Sequence, residues 1–188
     1  MTDGPISDPK ALRALSHPFR WKLINLLTEE GPCTATQCAA VLGESVASCS
    51  YHLNMLAKYG FVAEVEGPGR QKPWKIISRR QMISSEGLEG EAAMAAETAV
   101  LAYLDHEFER TRERLRQHDR LPDEWRREES GIGISATTKF LTVEETGELQ
   151  RELRELFNRY SDRTHNPELR PEGARPVRYF LSTTVSPD

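Results

Sequence analysis

Between Ser45 and Tyr59 the chain carries side chains suited to the edges of nucleic-acid bases. At about 100° per residue, Ala47, Tyr51, Asn54 and Lys58 share one face of a helix, flanked by Ser48 and Ser50, with Ser45 at its start. A helix facing only water ordinarily fills such a face with Glu and Lys. This one offers a methyl, a phenol, an amide, hydroxyls and one ammonium, groups that meet base edges, thymine methyls and phosphates. Downstream, Arg70 and Lys72 lie at a Gly-Pro-Gly turn, where a cation reaches phosphates or an adjacent minor groove.

The elements needed to position these groups are legible on either side. Cys49, Leu53 and Leu56 fall on the opposite, inward face, with Val46 and His52 at its margins. Thr34 with Gln37 forms a capping box for a helix through Leu42, and Gly43 ends it in the left-handed region. Ser45 caps the next helix almost at once, so the two must meet at a sharp turn, which is a helix-turn-helix. Phe61, Val62 and Val65 predict a short strand, Gly67-Pro68-Gly69 a turn, and Trp74, Ile76 and Ile77 the return strand. Pro73 lacks an N–H and suits an edge. Upstream, Asp8-Pro9 starts a helix over Ala11–Leu15. His17-Pro18 breaks it, with His17 capping or packing at the next helix entry. Phe19–Thr28 follows with an apolar stripe of Phe19, Leu23, Leu26 and Leu27.

Three stretches, "ALSHPFRWKLINLL", "ATQCAAVLGESVASCSYHLNMLAKYGFV" and "EGPGRQKPWKI", together resemble the winged-helix domain of ArsR-type bacterial transcription regulators over Lys10 to Ser78. The resemblance implies a homodimeric repressor that reads a palindromic operator in double-stranded DNA and is released by a ligand or metal. One departure bears on the metal. Thr34 and Thr36 stand where the family's metal sensors carry a Cys-x-Cys pair, and hydroxyls do not replace thiolates for a soft ion. Cys33 and Cys38 are poorly spaced to chelate, and His106 and His118 point to different sides of a helix. No metal and no cofactor is expected, and a small-molecule effector takes their place.

Composition bounds the alternatives. A 188-residue chain with 38% hydrophobic and 29% charged residues holds one globular domain or two small ones and offers no membrane span. Its N-terminus lacks the form of a signal peptide, and three cysteines without framework spacing fit a reducing cytoplasm. Charge is divided: residues 1–80 hold 10 Lys and Arg against 7 Asp and Glu, and residues 81–188 hold 15 against 22. A basic reader joined to an acidic second part is steered to phosphates by the first alone.

Residues 81–188 are expected to hold a linker to Gly90, a long dimerisation helix over Leu88–Arg120 and a small α+β regulatory unit. Met94, Leu101, Phe108 and Leu115 recur every seventh residue, with Leu104 between them, as a helix packed along its dimer mate would require. Glu107/Arg110, Glu109/Arg112 and Glu113/Arg116 form a ladder typical of a solvated face. Strands are expected at Gly131–Thr142 and Val177–Val185, with a helix over Val143–Tyr160 between them. Trp125, Phe140, Tyr160, Tyr179 and Phe180 would form its core or line an apolar pocket.

The sequence thus predicts an α+β fold: a winged helix-turn-helix at 1–80, then a long helix and a small α+β unit. Its expected role is a homodimeric, cytoplasmic DNA-binding transcription regulator, a repressor, with no catalytic constellation. The alternative is a winged-helix module that binds protein or RNA without reading an operator. Cys49, at an inward position, is expected to be a buried inert thiol. Were it accessible, oxidation would add bulk beneath the reading helix. His52 is expected to pack the reading helix against the hairpin.

Overall fold

The computed structural model describes residues 6, 8–67, 72–77, 87–127 and 133–186. Two compact units divide the chain, Met1–Arg120 and Leu121–Asp188.

In the first unit, the first four helices begin where their capping chemistry dictates. Helix α1 (Pro9–Leu15) starts at Asp8, whose carboxylate accepts from Lys10 N. Helix α2 (Pro18–Glu29) starts at His17, whose Nδ1 accepts from Phe19 N at 3.2 Å. In front of α3 (Ala35–Leu42), Thr34 Oγ1 accepts from Gln37 N while Gln37 Oε1 accepts from Thr34 N, the reciprocal pair expected there. Gly43 ends α3 at φ 68°, and Ser45 opens α4 (Val46–Lys58) by accepting from Ser48 N at 3.0 Å. Only a glycine takes that left-handed turn cheaply, so the tight α3–α4 junction is set locally.

Leu12, Leu15, Trp21, Leu23, Leu27, Leu53 and Leu56 are sealed in one core joining α1, α2 and α4. Strand β1 (Val62–Glu64) pairs antiparallel with β2 (Trp74–Ile76), with Val62 opposite Ile76 and Glu64 opposite Trp74. Cys33 adds an isolated bridge on the other edge of β2, exchanging both backbone bonds with Trp74 at 3.0 and 2.8 Å. The sheet is thereby tied to the entrance of α3. Arg70 and the expected turn tip, residues 68–71, lie outside the described residues.

The long helix α5 (Gly90–Arg116) is shorter at both ends than the sequence suggested, and His118–Arg120 turns off as a 3₁₀ segment. It packs within the first unit, which runs to Arg120. The cause is its inner face: Ala95, Ala96 and Ala99 are small enough to let α5 approach closely, and all three are buried. Tyr103 meets Trp21 with ring centroids 4.6 Å apart. Asn25 Nδ2 and His106 Nε2 lie 2.6 Å apart, and Arg110 and Arg114 both pair with Glu29. The expected solvated ladder is seen at Glu109–Arg112 and Glu113–Arg116, while Glu107 is buried instead of solvated.

In the second unit, α6 (Val143–Asn158) carries the expected capping box of Thr142 and Glu145, and α7 (Ser161–His165) follows. Neither expected strand forms among the described residues: 133–142 and Val177–Val185 have no hydrogen-bonded ladder. The last segment instead touches α6 at two points. Thr183 Oγ1 accepts from Gln150 Nε2 at 2.7 Å, and the Tyr179 ring lies 5.1 Å from Phe157. The α+β character of the fold therefore resides in the wing. Among the described residues, no helix is long and apolar enough to cross a membrane.

Candidate nucleic-acid interface

Helix α4 divides as its sequence requires. Cys49, Leu53 and Leu56 are completely buried, and truncating either leucine to alanine would cost about 2–5 kcal/mol. On the other side Ala47, Tyr51, Asn54 and Lys58 are all exposed, Tyr51 at 60%. Ser48 and Ser50 are half-buried at the flanks. Helix α4 is thus held firmly by one face and presents the other outward. The exposed face holds one cation, Lys58, which also lies 5.7 Å above the Tyr59 ring.

The polar groups on this face differ in what they have left to offer. Ser45 Oγ is already engaged as a cap, so its acceptor capacity goes largely to the helix. Asn54 Nδ2 donates to Ser50 O at 2.8 Å, which fixes the amide on the helix surface and leaves Oδ1 free of that bond. The N-terminus of α4, opened by an exposed Ser45 and Val46, concentrates the positive end of the helix dipole beside the same face. On the hairpin, Lys72 Nζ lies 3.8 Å from Glu64 Oε2, with both side chains largely solvated. Such a pair contributes little and opens readily to a phosphate.

Behind the face lies a polar network that sequence reading placed only in part. His17 caps α2 as expected. His52, however, packs against α2 and not against the hairpin. Arg20 Nε donates to His52 Nδ1 at 3.3 Å, and Arg20 Nη1 donates to Ala14 O at 2.6 Å. The rings of His17 and Phe19 lie 4.4 and 5.1 Å from that of His52. Burial, followed by the nearby charges of His17 and Arg20, holds the His52 pKa below its ordinary value, with Glu44 acting the other way. The signal for this network was Arg20, a permanently charged residue in the first turn of α2.

Thr34 serves as a cap, and His106 is joined to Asn25. Cys38 and Cys49 are buried, and burial pushes the Cys38 thiol up to about 12. On α5, Met94 is 70%, Leu101 55%, Phe108 52% and Leu115 40% exposed, while Leu104 is half-buried. Phe140 is 99% exposed, and Tyr160 and Tyr179 are exposed too, so these three do not form the expected core.

A family model described as a helix-turn-helix domain matches residues 15–65, the span from the end of α1 to the first strand of the wing. No curated protein shows a significant match to the chain. The match covers α2, α3 and α4 together, the parts that fix the exposed face, and supports a DNA-binding transcription regulator.

Proposed function

We propose that the chain is a sequence-specific DNA-binding transcription regulator that acts as a homodimeric repressor. Each copy would insert α4 into a major groove and set the hairpin on the adjoining backbone. One observation carries this reading: Ala47, Tyr51, Asn54 and Lys58 are jointly exposed on a helix whose opposite face is fully anchored. Tyr51 and Asn54 would read base edges, Ala47 a thymine methyl, and Ser45, Ser48, Ser50, Lys58, Arg70 and Lys72 would hold or border the phosphates. Dimerisation is supported by α5. Its inner face is occupied by α1 and α2, yet Met94, Leu101, Phe108 and Leu115 are exposed at heptad spacing on another. A second copy would cover that stripe and place two reading helices about one DNA turn, or a multiple of it, apart.

A second reading has one observation in its favour. The exposed face of α4 carries only Lys58 as a cation, few for a phosphate-bound surface, as a winged helix that binds protein would have. Salt titration of binding to a duplex from the chain's own upstream region, against a random duplex, separates the two. The regulator binds the first selectively and weakens steeply with salt. Equal binding to both duplexes, or none, would favour the interaction module.

A further inference from the structure

The polar network behind α4 is built in a way that simple packing does not require. Arg20 is buried, and among the described residues it forms no ion pair; its guanidinium is held by two neutral acceptors, Ala14 O on α1 and His52 Nδ1 on α4. Arginine does not deprotonate, so this charge is fixed. The bond to His52 therefore exists only while Nδ1 is unprotonated. Next in the chain, Tyr51 lies on the exposed face, with its ring edge-on to His52 at 5.1 Å.

We propose that Arg20 is a positioning residue for the reading helix, acting through His52, and that protonation of the His17–His52 pair releases this hold. The regulator would then bind DNA more weakly in acid. This deepens the DNA-reading proposal above and rests on it.

The argument follows the protons. At neutral pH His52 carries its hydrogen on Nε2 and accepts from Arg20 at Nδ1. A second proton on Nδ1 sets donor against donor and cation against cation. His17 behaves alike: its Nδ1 caps α2 through Phe19 N, and a proton there removes the cap and puts a second cation 4.4 Å from His52. His17 is exposed, so the pair is open to solvent protons. The charged and titratable groups around the pair are Arg20 from α2, Glu44 from the α3–α4 turn, Tyr51 on α4, and Tyr59 at its end. Of these only Glu44 favours the imidazolium of His52, while burial, His17 and Arg20 oppose it. The transition accordingly lies on the acid side of the ordinary histidine range.

The sign sets this apart from ordinary titration at a DNA interface. Protonating surface histidines adds positive charge and tightens binding to phosphates. Here acid loosens it. The test measures fluorescence anisotropy with the upstream duplex and the full chain at about pH 7.5 and pH 5.5, at constant ionic strength. The wild type is compared with the double variant His17→Asn, His52→Asn. Asparagine Oδ1 stands near the place of Nδ1, so it can cap α2 and accept from Arg20 but cannot take up a proton. Each protein is judged by its own ratio of affinities at the two pH values. The wild type should lose about tenfold in acid, within the usual range of coupling energies, and the double variant under about twofold. A wild type that binds as well or better in acid, or a variant that falls as steeply, overturns the proposal. Hydrogen exchange at Val46–Lys58, corrected for intrinsic rate, reads the same coupling without DNA. Protection lost in acid by the wild type alone supports the hold by Arg20, and equal protection in both proteins removes it. Should no duplex bind selectively at neutral pH, the DNA-reading proposal falls, and the exchange result still decides the coupling.

Discussion

Gly67 and Pro73 stand so close across the hairpin that a Cβ on Gly67 would lie 2.5 Å from Pro73 Cδ and 2.6 Å from its Cγ. The proline ring cannot swing aside, because Val65 N donates to Pro73 O at 2.8 Å and the following residue, Trp74, is locked to Cys33. Gly67→Ala should therefore push the two strands apart at the root of the wing. A stability loss of about 1–3 kcal/mol is expected, the usual cost of overpacking. Urea denaturation reads it. The double variant with Pro73→Ala should recover most of the loss, and strict additivity of the two changes would show that the contact is not its source.

Ser45 and Asn54 are both exposed on α4 but should fail differently. Ser45→Ala removes a cap and should cost about 1 kcal/mol of stability. Asn54→Ala removes no cap and no core contact, so stability should hold within about 0.5 kcal/mol, the ordinary range for a surface change. Its effect should fall on recognition, a loss of about 1–3 kcal/mol at one base position with the others unaffected. Lys58→Ala should weaken every duplex alike and reduce the salt slope by about one unit. Thermal melts paired with binding to single-base operator variants separate these outcomes.

Much of the first unit could be read directly from the sequence, since its boundaries are set by local chemistry. Thr34 with Gln37, Gly43 and Ser45 each act within a few residues of themselves, and each did what its side chain dictates. The face of α4 was legible for the same reason, as 3.6-residue periodicity needs no tertiary knowledge. The network around His52 was not, because Arg20 lies 32 residues away and only folding brings it to Nδ1. Cys33 was missed as a sheet residue on similar grounds: a single rung to Trp74 leaves no periodic trace. In the second unit, alternation at Tyr179, Leu181 and Thr183 suggests a strand, yet the contacts of Tyr179 and Thr183 are with a helix. A period of two says that alternate residues share a face, and not whether that face meets a strand or, as here, α6.

The cysteines should be silent in the native protein. Cys38 and Cys49 are fully buried, and burial raises both thiols, Cys38 to about 12, so almost no thiolate exists near neutral pH. Cys33 is half-buried and raised as well, by burial and then by Glu30. A disulfide-exchange reagent should label Cys38 and Cys49 only at the rate of unfolding, with Cys33 reacting slowly. Rapid native labelling of Cys49 would restore a redox role beneath the reading helix.

The exposed stripe of α5 predicts an assembly that mutation can dissolve without unfolding the subunit. Met94, Leu101, Phe108 and Leu115 face away from the core that Ala95, Ala96 and Ala99 help to form. Leu101→Glu or Phe108→Glu should leave the melting of the winged helix nearly unchanged and convert a dimer into a monomer in sedimentation. Operator affinity should then fall far more than nonspecific affinity, because one subunit contacts one half-site. A wild type that sediments as a monomer at high concentration would remove the dimer from the proposal.

Stability should also depend on pH in a direction fixed by His17 and His52. Both are held below the ordinary value of 6.5, by burial first and then by neighbouring cations. A group whose folded pKa is depressed binds its proton more readily in the unfolded chain. For a histidine, that contribution is complete above 6.5 and drains away as pH falls below it toward the folded value. The slope stays under the limit of about 1.4 kcal/mol per pH unit for one fully linked group, and solvent screening reduces the share of exposed His17. Urea midpoints at pH about 7.5, 6.5 and 5.5 should therefore be flat across the first step and decline across the second. Replacing His52 with Asn should flatten the second step; an equal decline in that variant would assign the loss to carboxylates elsewhere and not to the bond with Arg20.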